Sequence, residues 1–369
     1  MSLNLNKEKP LIAITGSAGK TTTKSMISGI LREKWIIFES RDYYNTTVNT
    51  PQHKKAIEPI HRAVVLEYGM GFPGQIAEHC SILQPNISVV TNVGSAHIGN
   101  FNGSVAGLAA EKSDIIKGMH PDGYLFINAD DVNSKLLHTS QFKGTITSVS
   151  ITSPSQFQAK NVKLGIKGME FDLMLQDQIH HFEIPIIGYH NVYNALFAIA
   201  VADRLGFSPE EMKSGLKNIK KPDHRLQIHL LKDDIIILDD TVHAHPPAMK
   251  AAIDVLVEIA NGKKIAVLGS MAELGDLMEE EHRKIGEYTA SKGVDVLFTF
   301  GNFSSHTHSG ALDAGLPPEK AKHFYNLRRR DLHQELLENI EPGTTVLIKG
   351  ASRQKMFETV QFLINSLSL

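Results

Sequence analysis

The sequence has a single cysteine, Cys80, so neither an internal disulfide framework nor a multi-cysteine metal site can be built from it, and a reducing compartment suits it. Neither sign of charge prevails. With 38 basic against 40 acidic residues, the chain lacks the basic surface that nucleic-acid binding requires, and any anionic ligand must be held locally. No run of about 18 apolar residues occurs, and the opening "MSLNLNKEKP" has no apolar signal core. There is no internal repeat and no low-complexity segment. These absences predict a cytoplasmic protein with no membrane and no nucleic acid among its partners.

What is present is an alternation of short apolar runs with segments of helical period, the pattern of an α/β protein whose parallel sheets are covered by helices. The runs are "LIAIT", "AVVLE", "ISVVT", "IIIL", "KIAVL", "DVLFTF" and "TVLIK". Their carboxyl ends carry Gly16 to Thr22, Glu67, Asn92 to His97, Asp239 and Asp240, Gly269 to Glu273, and Lys349 to Arg353. Ligands of open α/β sheets bind at such ends. From about 140 to 188 the texture changes to alternating segments such as "MEFDLML", which predict a small antiparallel extension. In "YHNVYNALFAIAVADRLGF", Asn191 can cap a helix and Gly206 can stop it. A boundary near 228 predicts two domains, 1–228 and 229–369, the second a fresh Rossmann-like βαβ series.

The strict phosphate loop GxxxxGK[ST] would need glycine at position 14, where this chain has Ile14. The match is shorter: Gly16, Ser17, Ala18, Gly19, Lys20, Thr21 and Thr22, between a strand and a helix. Backbone amides of a glycine turn and a helix N-terminus can still surround phosphate, Lys20 adds a point charge, and Thr21 can offer its hydroxyl to magnesium. Glu67 and His97 each follow an apolar strand and can converge near this loop. Lys112 shares a helical face with Leu108, Ile115 and Ile116, so it projects toward an interior. Each has a plainer reading: Glu67 as a solvated strand end, His97 as an interior histidine, Lys112 as a packed stem with its amine in water.

At this point the chain resembles the Mur ligase family, through "TGSAGKTT", "VLEYGM", "PGQIAEHCSILQPNISVVTNVGSAHI", "YHNVYNALFAIAVA", "HRLQ", "LDDT", "VLGSMAELG" and "IKGASR", in that order along nearly the whole chain. The blocks are most similar to the D-alanyl-D-alanine-adding branch. The resemblance implies a phosphate-loop ATPase domain with a Rossmann-like domain after it. It also implies ATP-dependent, ADP-forming amide-bond synthesis through an acyl phosphate, in peptidoglycan precursor synthesis. Its partners would then be a small-molecule or peptide carboxylate and an amine. Carried over residue by residue, it assigns catalysis to Lys20, His97 and Lys112, and magnesium to Thr21, Glu67, His97 and a carbamylated Lys112. It also assigns the nucleotide to residues 16–22 with Asn191, Asn194, Arg225 and Asp240, and the incoming amine to Lys349 and Arg353.

Three departures stand out. Ten residues precede the first strand where cell-wall members carry a UDP-sugar domain, so the acid is expected to be held by other means or by a partner chain. "NTTVNTP" keeps only Asn45 and Pro51 of an "NNEIGVP"-like segment, and "DDTVHAHP" has Val242, His243 and His245 for a tyrosine and two asparagines. The His-x-His spacing, repeated at His306 and His308, reads better as pocket polarity than as metal binding, for want of a third ligand. An alternative function is a nucleotide-binding subunit that works without ligase turnover.

Overall fold

Five-residue apolar runs without alternation form strands buried on both faces, and here they do so twice, in two sheets. The computed structural model describes residues 9–41, 44–165, 167–219 and 223–368. The opening stretch, apart from its last two residues, and Pro222 beside the expected boundary lie outside them. The chain divides into two units, up to residue 222 and from 223 onward.

In chain order the first unit contains β1 (Leu11–Thr15), α1 (Lys20–Leu31), β2 (Ile37–Glu39), α2 (Thr50–Ala56), β3 (Ala63–Glu67), α3 (Gln75–Ile82), β4 (Ile87–Val90) and α4 (Val105–Gly118). It continues with β5 (Tyr124–Asn128), β6 (Thr145–Ser150), β7 (Phe157–Gln158), β8 (Lys160–Gly165), β9 (Gly168–Leu175), β10 (Gln178–Ile184), α5 (Tyr189–Arg204) and α6 (Pro209–Lys217). Seven strands form a parallel sheet in the order β2-β3-β1-β4-β5-β6-β7, which sets β1 and its phosphate loop between β3 and β4. Strands β8 to β10 form a separate antiparallel sheet. Alternation works there as sequence predicts: Met169, Phe171, Leu173 and Leu175 of β9 turn into one core with Met26 and Ile30 of α1 and Phe197 of α5.

Two local expectations need correction. The antiparallel texture expected from about 140 begins only at Lys160, because β6 and β7 extend the parallel sheet; β6 is covered too incompletely to read as an apolar run. Asn191 is not the cap of α5. Gly188 occupies that place, and Asn191 lies in the first turn, its Nδ2 donating to the Ile187 carbonyl at 2.7 Å. The other end is as expected: Phe207 N donates to Ala202 O and Gly206 N to Asp203 O, the double closure of a glycine-ended helix.

The second unit contains β11 (Gln227–Leu230), β12 (Ile236–Asp240), α7 (Pro246–Ile259), β13 (Lys264–Gly269), α8 (Met278–Ser291), β14 (Val296–Phe300), α9 (Ser304–Asp313), β15 (Ala321–Phe324), α10 (Arg329–Asn339), β16 (Thr345–Lys349) and α11 (Phe357–Leu367). Its sheet runs β11-β12-β16-β13-β14-β15, parallel except for edge strand β11. That strand crosses position 228, the boundary suggested by sequence, so His224 and Arg225 belong to the second unit with Asp240. Among the described residues no helix is long and apolar enough to cross a membrane.

Candidate active site

Between β1 and α1 the backbone passes through Gly16 at φ +143° and Gly19 at φ +80°. A Cβ on Gly16 would lie 1.9 Å from Thr91 Oγ1 and 3.2 Å from Asn92 N, so the loop is pressed against the residues that follow β4. Those residues grip it. Asn92 accepts from Ser17 N through its carbonyl (3.2 Å) and from Ala18 N through Oδ1 (3.0 Å). Thr91 Oγ1 donates to Ala18 O at 2.5 Å, and Ser17 Oγ accepts from Gly94 N at 2.9 Å. Behind them Asp131 accepts from Val93 N at 2.7 Å, and Asn133 donates to Val93 O at 2.8 Å. No side chain caps α1, whose N-terminus therefore presents its dipole at the loop, while Lys20 Nζ spans the turn to Gly16 O at 2.8 Å. A glycine turn, an uncapped helix N-terminus and a lysine are the features with which proteins hold phosphate.

Glu67, in register with Ile14 on the adjacent strand, ends β3 beside that loop. It is 3% exposed. Thr21 Oγ1 donates to its Oε2 at 2.9 Å and Asn45 Nδ2 to its Oε1 at 2.8 Å, while Glu67 N donates to Ser40 Oγ at 3.2 Å. A hydroxyl and a carboxylate in contact at a phosphate loop are hard oxygen donors that fit magnesium, which keeps waters and takes phosphate oxygens for its remaining positions. His97 stands on the loop after β4 in the left-handed region, φ +64°, at the start of the turn Ile98–Phe101.

Lys112 is 1% exposed, on a face it shares with buried Leu108, Ile115 and Ile116. Its Nζ lies 3.6 Å from Met70 Sδ, three residues beyond Glu67. Burial, reinforced by the charge of Lys20 and opposed by that of Glu111, lowers the Lys112 amine to about 7. Glu111 itself accepts from Gly74 N (2.7 Å) and Ile76 N (3.0 Å), fixing the start of α3.

Asn191 and Asn194 are both buried and bonded to each other, Asn194 Nδ2 donating to Asn191 Oδ1 at 2.9 Å. Asn194 Oδ1 accepts from Thr23 Oγ1 at 3.0 Å. Their amides thus tie α5 to α1 just behind the phosphate loop.

In the second unit, Asp239 turns inward to bind His224 Nδ1 at 2.6 Å and Thr241 Oγ1 at 2.7 Å. Lys349, expected to meet the amine substrate, is placed elsewhere: it is 1% exposed, and its Nζ donates to Asp240 Oδ2 at 2.5 Å and to His243 O at 2.8 Å. A lysine buried there takes an internal counter-ion. Burial lowers its amine, Asp240 opposes that, and the charge of Arg225 adds to it. His245 is a helix cap rather than a pocket group, since its Nδ1 accepts from Ala248 N at the start of α7. Arg353, by contrast, is exposed on the turn after β16 and lines a cavity of about 490 Å³ with Ser270, Glu273, Phe300, Arg329 and Gln354.

Sequence reasoning placed Asn92 at a strand end without its role, and missed Asp131, Ser40 and Glu111. The doubled aspartate after "LFINA", beyond a strand end, could have signalled Asp131.

Two family profiles match: the Mur ligase middle domain over residues 14–202 and the Mur ligase, glutamate ligase domain, over residues 224–352. The UDP-N-acetylmuramoyl-tripeptide–D-alanyl-D-alanine ligase of Bacillus subtilis (strain 168) is 33% identical over 361 residues, covering 96% of this chain and 76% of that protein. The enzyme of the same name from Escherichia coli (strain K12) is 32% identical over 357 residues, with the same coverage of 96% and 76%. The crystal structure of MurF from Acinetobacter baumannii superimposes with a TM-score of 0.89 at 29% identity, covering 98% of this chain and 77% of that one. MurF from Thermotoga maritima in complex with ADP shares the fold, with a TM-score of 0.85 at 22% identity over 98% of this chain and 80% of that one.

Proposed function

The chain belongs to the Mur ligase family, and on that premise we propose that it joins a UDP-N-acetylmuramoyl-tripeptide, or an acid of that kind, to D-alanyl-D-alanine in the cytoplasm. The reaction class is that of the family: an ATP-dependent, ADP-forming peptide ligase of peptidoglycan precursor synthesis. A carboxylate oxygen of the acid attacks the γ-phosphorus of ATP and ADP leaves; the amine nitrogen then attacks the acyl carbon, losing a proton, and phosphate leaves.

The observation that carries this reading is the contact of Thr21 with Glu67 at the phosphate loop, 2.9 Å between oxygens. The loop amides and Lys20 hold the phosphates by position and charge rather than by a covalent bond to the protein. Magnesium bound by the oxygens of Thr21 and Glu67, with His97 as a further ligand in this proposal, would draw charge off the phosphate oxygens. Arg225 and Asp240 bind the nucleotide, and Asn191 and Asn194 serve it by holding α5 against the loop. Arg353 receives the carboxylate of the amine substrate, and Lys349 supports Asp240 instead.

Lys112 is carbamylated in this proposal. An aliphatic amine lowered to about 7 is substantially neutral at neutral pH, and its lone pair can attack carbon dioxide, releasing a proton and leaving a carboxylate on the nitrogen. A nucleotide-binding subunit without turnover is not favoured, because the phosphate loop, Glu67 and buried Lys112 all stand in one unit.

The test is phosphate release from magnesium-ATP against a matrix of acids and amines, with Lys20→Ala in parallel. Release that requires both UDP-muramoyl-tripeptide and D-alanyl-D-alanine, and disappears in the variant, is the expected result. Release with another acid and amine would overturn the substrate assignment, and binding of ATP without turnover under any pair would overturn the ligase reading.

A further inference from the structure

The turn that carries Arg353 has an unusually complete support. Arg329, at the start of α10, donates from one terminal nitrogen to Gln354 O (2.6 Å) and from the other to Lys355 O (3.2 Å) and Thr359 Oγ1 (3.1 Å). Its Nε faces Glu358 Oε2 at 3.4 Å, and its guanidinium lies over the Phe300 ring, 4.6 Å from the centroid. One planar group therefore clamps two consecutive carbonyls on either side of the bend where Lys355 takes φ +49°.

Gln354 supplies the second support. Its Nε2 donates to Phe300 O at 3.1 Å, so its amide lies across the carboxyl ends of β13, β14 and β16. There is room for it only because those ends are glycines: a Cβ on Gly269 would lie 2.5 Å from Gln354 Oε1, and one on Gly301 would lie 2.4 Å from Gln354 Nε2. Gly269, the first glycine in "VLGSMAELG", thus has a physical use, which is to admit the side chain that floors the cavity.

We propose that Arg329 and Gln354 are positioning residues for the amine substrate: they hold the Arg353 turn in the conformation that presents its guanidinium to the substrate carboxylate. Neither needs to touch substrate. All five groups that Arg329 meets belong to the turn, to α11 or to Phe300, and a cation already committed to them has little left for a ligand. The proposal rests on the reading of Arg353 as the carboxylate contact, so its test must separate the two.

The experiment measures KM for D-alanyl-D-alanine and for ATP, and kcat, in Arg353→Met, Arg329→Met, Arg329→Lys and Gly269→Ala, each checked by thermal unfolding. The expected result is an amine KM raised about tenfold by Arg353→Met, Arg329→Met and Gly269→Ala, with kcat and ATP KM within about twofold of the parent. Arg329→Lys should recover part of the loss, since an ammonium reaches one of the carbonyls but not both. If Arg353→Met raises the amine KM and neither Arg329→Met nor Gly269→Ala does, the positioning role is wrong and the Arg353 assignment stands. If Arg353→Met leaves the amine KM unchanged, both fall together. Should Arg329→Met fail to fold, Arg329→Lys and Gly269→Ala decide by the same criterion.

Discussion

Thr21 and Glu67 are 46 residues apart in sequence, yet the threonine hydroxyl donates to the glutamate carboxylate across 2.9 Å. The sheet order brings them together, because β3 pairs with β1 and ends where the phosphate loop begins. Glu67→Gln keeps an oxygen for Thr21 and nearly the same volume but removes the charge that a divalent cation needs. Phosphate release should fall by about 100-fold or more, with the thermal midpoint nearly unchanged. Titrating magnesium during the assay checks this, and activity within a few-fold of the parent would remove Glu67 from the metal site.

The strands and their polar ends were legible because buried parallel strands are apolar on both faces and need no partner information to recognise. The phosphate loop was legible for a different reason, the spacing of Gly16, Gly19, Lys20 and Thr21 between a strand and a helix. Two kinds of residue were not. Lys349 sits at a strand end like Glu67, and nothing local distinguishes a lysine that meets a ligand from one that meets Asp240; only the β12–β16 pairing decides it. Asp131 and Arg329 act through backbone groups of distant segments, which leave no mark in the residues they hold.

Gly16→Ala should disable the loop twice over. The substituted residue would have to hold φ +143° and also push against Thr91 Oγ1 and the backbone of Asn92. Strain of about 1–3 kcal/mol plus displacement of the loop predicts a lower thermal midpoint together with loss of nucleotide affinity. Calorimetric titration with ADP, alongside thermal unfolding, would show both, and unchanged affinity would mean that the loop does not hold phosphate.

The Lys349–Asp240 pair is buried and hydrogen-bonded at 2.5 Å, so its members are worth far more together than apart. Lys349→Met leaves a carboxylate, and Asp240→Asn leaves an ammonium, each without its counter-ion. Either single change should cost about 3–5 kcal/mol, and the double change should recover much of that. Urea unfolding of the four proteins measures the coupling. Additive losses would show that the pair is not a unit.

Lys112 makes stability depend on pH in the same direction as a salt-bridged acid, but in an alkaline rather than an acid window. Its amine stands at about 7 in the folded protein against an ordinary 10.5, chiefly through burial and then through the charge of Lys20. Between those two values the unfolded chain binds the proton and the folded chain has largely released it, so stability rises with pH across that window and the penalty is largest below 7. Lys112→Met removes the penalty. In carbon-dioxide-free buffer it should unfold at higher urea than the parent at pH 7, and its stability should climb less steeply from pH 7 to 9, by up to about 1.4 kcal/mol per pH unit. Adding bicarbonate should narrow the gap at neutral pH, because carbamylation consumes the neutral amine and draws the parent toward a state that needs no buried ammonium. Parallel stability curves for the two proteins would mean that the amine is solvated and would remove the physical ground for its carbamylation.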